Sequence, residues 1–245
     1  MWRCLNKGGE EEMKKIGIVG GMGPESTLYY YRMLIDLSRE EKGLERPVII
    51  IYSVQPRGTV QSIPQEENKA GVTDRVISAV QSLYQAGADF GIIACNTAHR
   101  NFSDTRAKSP MPLLSIVEET CKEVGRQGLK RVGLIGSLIT MSSSFYQDVF
   151  SERNISIVVP AGDEQIFIDE KVFGELVQGI MLDDTRNEFL EITRRMIAEE
   201  SIEGLILGCT EIPLLLNKSN EEEFGIPFFD TSRIHVQSAF RYCLS

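Results

Sequence analysis

Cys95 is followed by Asn96, Thr97, Ala98 and His99, and Cys209 by Thr210 and Glu211. Each thiol ends an apolar run, Ile92-Ile93-Ala94 in one case and Leu205-Ile206-Leu207-Gly208 in the other. A thiolate among hydrogen-bond donors can serve as a general base, and a thiol as the matching acid. Two such groups on opposite sides of one pocket suit a two-base reaction at a tetrahedral carbon. One thiolate removes the α-proton, the opposing thiol returns a proton to the other face, and the configuration inverts. Charge in the carbanion-like intermediate falls on the adjoining carboxylate. Backbone N–H groups and the side chains of Asn96, Thr97, Thr140 and Thr210 are candidates to stabilise it as oxyanion donors. A single cysteine at a strand end is ordinarily a small buried apolar residue, and Cys4, Cys121 and Cys243 are read that way. No lysine is placed as an evident Schiff-base residue, so no cofactor is expected. Two histidines and no Cys-x-x-Cys pair give no metal site.

The thiols need elements to position them. Unbroken apolar runs read as strands of a parallel sheet, and ligands collect at the carboxyl ends of such strands. Lys15-Ile16-Gly17-Ile18-Val19-Gly20 matches Arg131-Val132-Gly133-Leu134-Ile135-Gly136. The separation from Gly17 to Cys95 is within two positions of that from Gly133 to Cys209. Self-similarity over so long a period indicates a duplicated α/β domain rather than a solenoid. Strands are expected at Ile16–Val19, Pro47–Val54, Leu113–Ile116, Val132–Ile135, Ile155–Val159, Ile202–Leu207 and Pro227–Asp230. Helices are expected at Glu25–Glu40, Thr73–Ala86, Ala98–Ala107, Val117–Gly125, Phe145–Arg153, Asp163–Gly179, Asp184–Glu200 and Thr231–Leu244, the last capped by Thr231 or Ser232. Residues 55–70 and 136–144 read as loops. Gly21-x-Gly23-x-x-Ser26 lacks the third glycine of a dinucleotide fingerprint. It reads as a tight strand-to-helix turn, also suited to a small carboxylate.

The chain has 245 residues, 42% hydrophobic and 25% charged, with a net charge of −9. That charge argues against nucleic acid and an anionic membrane surface as partners. No apolar run approaches the roughly 18 residues of a membrane span. Five widely spaced cysteines form no disulfide framework, which fits a reduced, cytoplasmic protein. Residues 1–12 read as a disordered or alternatively initiated extension before a folded body that starts at Met13.

Taken together, Ile16-Gly17-Ile18-Val19-Gly20-Gly21-Met22, Cys95-Asn96-Thr97-Ala98-His99, Gly208-Cys209-Thr210-Glu211 and Phe229-Asp230-Thr231 resemble the aspartate/glutamate racemase superfamily, most closely its aspartate racemase branch. The likeness extends from Met13 onward. It implies two similar Rossmann-like α/β domains in a pseudo-twofold relation, with the active site in the cleft between them. The division is residues 13–115 plus 226–245 against 116–225, with the last helix packed back on the first domain. It also implies cofactor-independent racemisation of a small amino acid by the Cys95/Cys209 pair, with Cys209 acting on the L-isomer and Cys95 on the D-isomer, and a homodimer. Carried onto matching positions, it implies that Met22, Ala98 and Glu211 line the substrate site and that Arg57 aligns approximately with the family arginine. Glutamate racemases carry Cys-Thr-His where this chain has Cys209-Thr210-Glu211. Aspartate-specific members carry a lysine shortly after an Asp-Glu-Gln-like run. Here Asp163-Glu164-Gln165 is followed by Ile166 and Phe167, with Lys171 a turn further on. An apolar wall there would broaden the substrate range. Two other readings are a hydantoin racemase or maleate-isomerase-like enzyme of the same superfamily, and a small-molecule binding protein without turnover.

Overall fold

The structure, a computed structural model, describes residues 13–41, 45–54, 65–216 and 218–245. The expected extension at 1–12, most of the loop at 55–70 and Arg57 within it lie outside the described residues.

Strands buried on both faces need helices on either side, and the chain alternates accordingly. The first half runs β1 (Ile16–Gly20), α1 (Pro24–Glu40), β2 (Ile49–Ser53), α2 (Gln65–Gln85), β3 (Phe90–Ile93), a 3-10 turn at Thr97–Asn101, α3 (Phe102–Ala107) and β4 (Leu113–Leu114). Helix α4 (Ile116–Arg126) leads into β5 (Arg131–Gly136), α5 (Leu138–Ser142), α6 (Phe145–Ser151), β6 (Ser156–Val158), α7 (Gly162–Gly174) and α8 (Asp183–Glu200). The chain ends with β7 (Leu205–Gly208), α9 (Ile212–Leu215), α10 (Lys218–Phe224), β8 (Phe228–Asp230) and α11 (Thr231–Cys243).

Both sheets are parallel and share one strand order, β2-β1-β3-β4 and β6-β5-β7-β8. The repeat in the sequence is thus a repeat of topology. Val19 lies opposite Ile93, and Gly136 opposite Gly208. Each cysteine therefore leaves its sheet at the carboxyl end, beside the end of the equivalent first strand. On one face of the first sheet, Ile16, Ile18, Phe90 and Ile92 pack with Tyr30 and Leu34 of α1 and with Val236, Ala239 and Phe240 of α11. On the other, Val19 and Ile93 meet Val76, Val80 and Leu83 of α2. In the second half, Leu134 and Ile206 pack under α4 and α6, while Ile135, Leu205 and Leu207 pack under α7 and α8. Each fully buried large apolar side chain contributes about 1.5–3 kcal/mol.

The structure corrects four expectations. Strand β8 pairs with β7 through Leu205 opposite Phe228 and Ile206 opposite Phe229. Phe229 is buried in the second half's core, so residues 226–230 stay with the second sheet and only α11 returns to the first. Helix α2 begins at Gln65, inside the expected loop, where Gln65-Glu66-Glu67 supplies good helix formers. The expected loop at 136–144 contains α5, whose cap Ser137 accepts from the Thr140 N–H at 3.3 Å. Asp230, not Thr231 or Ser232, caps α11 by accepting from the Arg233 N–H at 3.0 Å. Helices α9 and α10 occupy a stretch for which no element was expected. Among the described residues no helix is long and apolar enough to cross a membrane.

Candidate active site

Strand β3 delivers Cys95 into a turn in which the Cys95 N–H bonds the Ile93 carbonyl at 2.9 Å. The residue is partly exposed and packs with Met22 and Ala98 against the α2 side of the first core. Burial pushes its thiol up, and the Ala98 N–H opposes that shift. The charge on Glu211 pushes it up further, while the Thr97 N–H and hydroxyl pull it down. The turn is held from behind by His99. Its Nδ1 lies 2.8 Å from the Cys95 carbonyl, and its Nε2 lies 3.2 Å from the Ile116 N–H. This pairing assigns the imidazole proton to Nδ1. His99 is buried and its pKa is pushed down to about 3, first by desolvation and then by His235. His99 is therefore a neutral fastener of the cysteine turn.

Cys209 follows β7 in the second half. A Cβ on Gly136 would sit 2.8 Å from the Gly208 carbonyl oxygen, so the two strand ends approach as only glycines allow. The Cys209 Sγ–H donates to Glu211 Oε2 at 3.0 Å, and the Thr210 hydroxyl donates to the same oxygen at 2.6 Å. Burial pushes the Cys209 thiol well above its ordinary value, and the carboxylate of Glu211 adds to this through both charge and hydrogen bond. Cys95 adds a smaller upward push.

The first half reaches across to this cluster through Ser26. Its hydroxyl donates to Glu211 Oε1 at 3.0 Å and also contacts the Thr210 hydroxyl. The glycine turn ahead of α1 makes this possible. Gly21 holds a φ of +86°, where a Cβ would overlap the Val54 carbonyl oxygen, and its N–H bonds Thr27 Oγ1 at 2.9 Å. The sequence reading names Ser26 only as the last position of the incomplete glycine motif, not as part of the site. Its position just inside the helix after a glycine turn was the available signal. A second bridge joins the Thr97 hydroxyl to the Ser137 hydroxyl at 3.2 Å.

A family model described as Asp/Glu/Hydantoin racemase matches residues 19–239. The chain belongs to this racemase family. It is 28% identical over 232 residues to the broad specificity amino-acid racemase RacX of Bacillus subtilis strain 168, covering 91% of this chain and 95% of that protein. The crystal structure of an aspartate racemase homologue from Pyrococcus horikoshii OT3 superimposes with a TM-score of 0.81 at 32% identity, covering 95% of this chain and 100% of that one. The Picrophilus torridus aspartate racemase shares the fold, with a TM-score of 0.68 at 22% identity over 94% of each chain.

Within this racemase fold the expected site residues separate into groups. Cys95, Thr97, Ala98 and Met22 from the first half and Cys209 and Thr210 from the second lie just beyond the carboxyl ends of their strands, with Glu211 buried beside Cys209 and Thr210. Asn96 is almost wholly buried, and its amide is spent inside the protein on Tyr146 and Thr231. Thr140 is fully buried behind Ser137, its hydroxyl 3.1 Å from the Ser137 hydroxyl. Lys171 is ion-paired with Glu175 and lies over the Phe167 ring. Phe167 itself packs on the second half's core, and Ile166 is exposed.

Proposed function

We propose that this family member is a cofactor-independent amino-acid racemase in which Cys95 and Cys209 are the two acid–base groups. The observation that carries this reading is the pairing of equivalent strand ends, each delivering one thiol, with unlike surroundings. Burial raises the Cys95 thiol, and the N–H groups of Ala98 and Thr97 offset part of that rise in favour of the thiolate. Cys209 donates to a carboxylate, which favours the thiol. One base and one acid, set on opposite sides of a carbon, are what a single inversion requires. The substrate carboxylate would meet backbone N–H groups at the strand ends and the Thr97 hydroxyl, the Thr210 hydroxyl proton being spent on Glu211. Asn96 and Thr140, with their polar groups turned inward, act on the reaction by holding the loops.

The substrate is an α-amino acid, aspartate or glutamate or a broader set. The ion pair of Lys171 with Glu175 supports the broader set, as does the likeness to a relative named for broad specificity. The unit of function is the two-domain chain with α11 returned to the first domain, assembled as a homodimer. The edge strand β2 supports that assembly, since Val48, Ile51 and Tyr52 on or beside it are exposed among the described residues. Free Cys95, Cys121, Cys209 and Cys243 fit a reducing cytoplasm.

The test is α-proton exchange in D₂O, followed by NMR over a panel of L- and D-amino acids without added cofactor. Wild type should exchange and racemise at least one of them, and Cys95→Ser and Cys209→Ala should each lose racemisation. Binding without exchange in the wild type would instead support a small-molecule binding protein.

A further inference from the structure

The reaction as described does not use the buried phenol of Tyr146. That phenol donates to Asn96 Oδ1 at 2.6 Å. The Asn96 Nδ2 donates to Thr231 Oγ1 at 3.1 Å, and Thr231 Oγ1 donates to the Leu207 carbonyl at 3.0 Å. The direction of this chain is forced. A carbonyl only accepts, so the single Thr231 hydroxyl proton is spent on Leu207, and Thr231 must accept from Asn96. The Asn96 amide nitrogen thus faces Thr231, its oxygen faces Tyr146, and Tyr146 must be the donor. Asn96 is 4% exposed, while Tyr146 and Thr231 are fully buried. A buried network whose members are all satisfied specifies one arrangement, and a broken one is costly.

The chain of bonds starts on α6 in the second half and crosses to the residue directly after Cys95. It then passes to the first residue of α11 and ends on β7, two residues before Cys209. We propose that Tyr146 is a positioning residue for both thiols, its hydroxyl orienting the Asn96 amide and, through Thr231, holding the two cysteine loops in register. The kinetic consequence rests on the racemase reading; the structural one does not. The Tyr146 ring is already packed between Phe145 and Phe150. Phenylalanine would keep that packing, so the hydroxyl's described task is the bond to Asn96. Burial pushes the phenol far above its ordinary pKa, which keeps the donor proton in place. A two-base inversion needs both thiols aligned on one carbon, and a displacement of about 1 Å can cost on the order of 100-fold.

The experiment uses the full chain as Tyr146→Phe, Thr231→Val, the double variant, and Thr231→Ser, which keeps the hydroxyl. One readout is kcat and KM on the wild type's best substrate. The other is the pH dependence of iodoacetamide alkylation at Cys95 and at Cys209 by peptide mass mapping, which needs no turnover. Tyr146→Phe and Thr231→Val should each lower kcat roughly 10- to 100-fold with KM changed by less than about twofold. The double variant should be no worse than the worse single, because the bonds act as one unit. Thr231→Ser should retain kcat, and Tyr146→Phe should shift the alkylation profile of the remote Cys209 as well as that of Cys95. Wild-type kcat in Tyr146→Phe, or single-variant factors that multiply, overturns the proposal. If the wild type racemises nothing, the racemase reading fails separately, and an unchanged Cys209 profile in Tyr146→Phe overturns the positioning role. If Tyr146→Phe does not fold, equal kcat in Thr231→Val and Thr231→Ser overturns it.

Discussion

Cys95 faces N–H groups and Cys209 faces a carboxylate, and this difference is testable one residue at a time. After burial, the Glu211 charge is the largest cause that holds the Cys209 thiol up, and it raises Cys95 too. Glu211→Gln keeps an acceptor oxygen but removes the charge. Both thiols should then ionise at lower pH, Cys209 by more, and the pH dependence of alkylation reads the shift. Racemisation should fall about 100-fold, since a positioned acid–base partner contributes on that scale; a variant with full activity would remove Glu211 from the proton inventory. The two thiols and the Thr210-Glu211 pair were legible in the sequence because apolar runs end there in reactive groups. Ser26 and Tyr146 were not, because their roles come from contacts with residues 185 and 50 positions away. Asn96 was read as a ligand contact for the same reason. A polar residue beside a catalytic group is identical in sequence whether it faces the cleft or the interior.

The strands and long helices were readable because their apolar periodicity does not depend on tertiary context. The first strands of the two halves, the cysteine strands and α8 all lie within a few residues of expectation. Short helices were missed where a loop-rich composition hides them: α5 is five residues long and held by the Ser137 cap, and α9 is four residues long with a proline in its first turn. The placement of β8 also escaped, because strand partnership is set by packing of Phe229 against Ile206 rather than by any local pattern. At this scale the approach of β5 and β7 is the sensitive feature. A Cβ on Gly208 would stand 2.8 Å from Leu134 Cδ1 and 3.1 Å from the Ile135 carbonyl oxygen. Gly208→Ala should therefore push Cys209 out of line, destabilise the protein by about 1–3 kcal/mol and depress activity more than stability. Urea unfolding beside kcat measures both, and unchanged values would show that the strand ends have room.

At the scale of the whole molecule, two neutral imidazoles tie the first half to α11 and α4. His235 Nε2 lies 3.1 Å from the Leu114 carbonyl, and its Nδ1 lies 3.1 Å from the Tyr30 hydroxyl. Burial lowers its pKa to about 4, and that of His99 to about 3. The unfolded chain takes up both protons below about pH 6.5, whereas the fold refuses them, so stability is complete above that pH and is lost as pH falls toward 4 and 3. Each group accounts for about 1.4 kcal/mol per pH unit inside its window. Denaturation series at pH 7.5 and pH 5 should differ by roughly 3–4 kcal/mol, and a flat profile would mean that water reaches these rings.

The return of α11 to the first sheet bears on how the protein is made. Val236, Ala239, Phe240 and Cys243 close one face of a core whose other members, Ile16, Ile18, Phe90 and Ile92, emerge from the ribosome much earlier. Chains synthesised at about 5–20 residues per second would therefore carry that face uncovered for many seconds. The second sheet is itself complete only once β8 has emerged, immediately before α11. The nascent first half is then the part that depends on a holdase, and a stop codon just before Thr231 should leave a product that is bound by chaperones rather than secure in its fold.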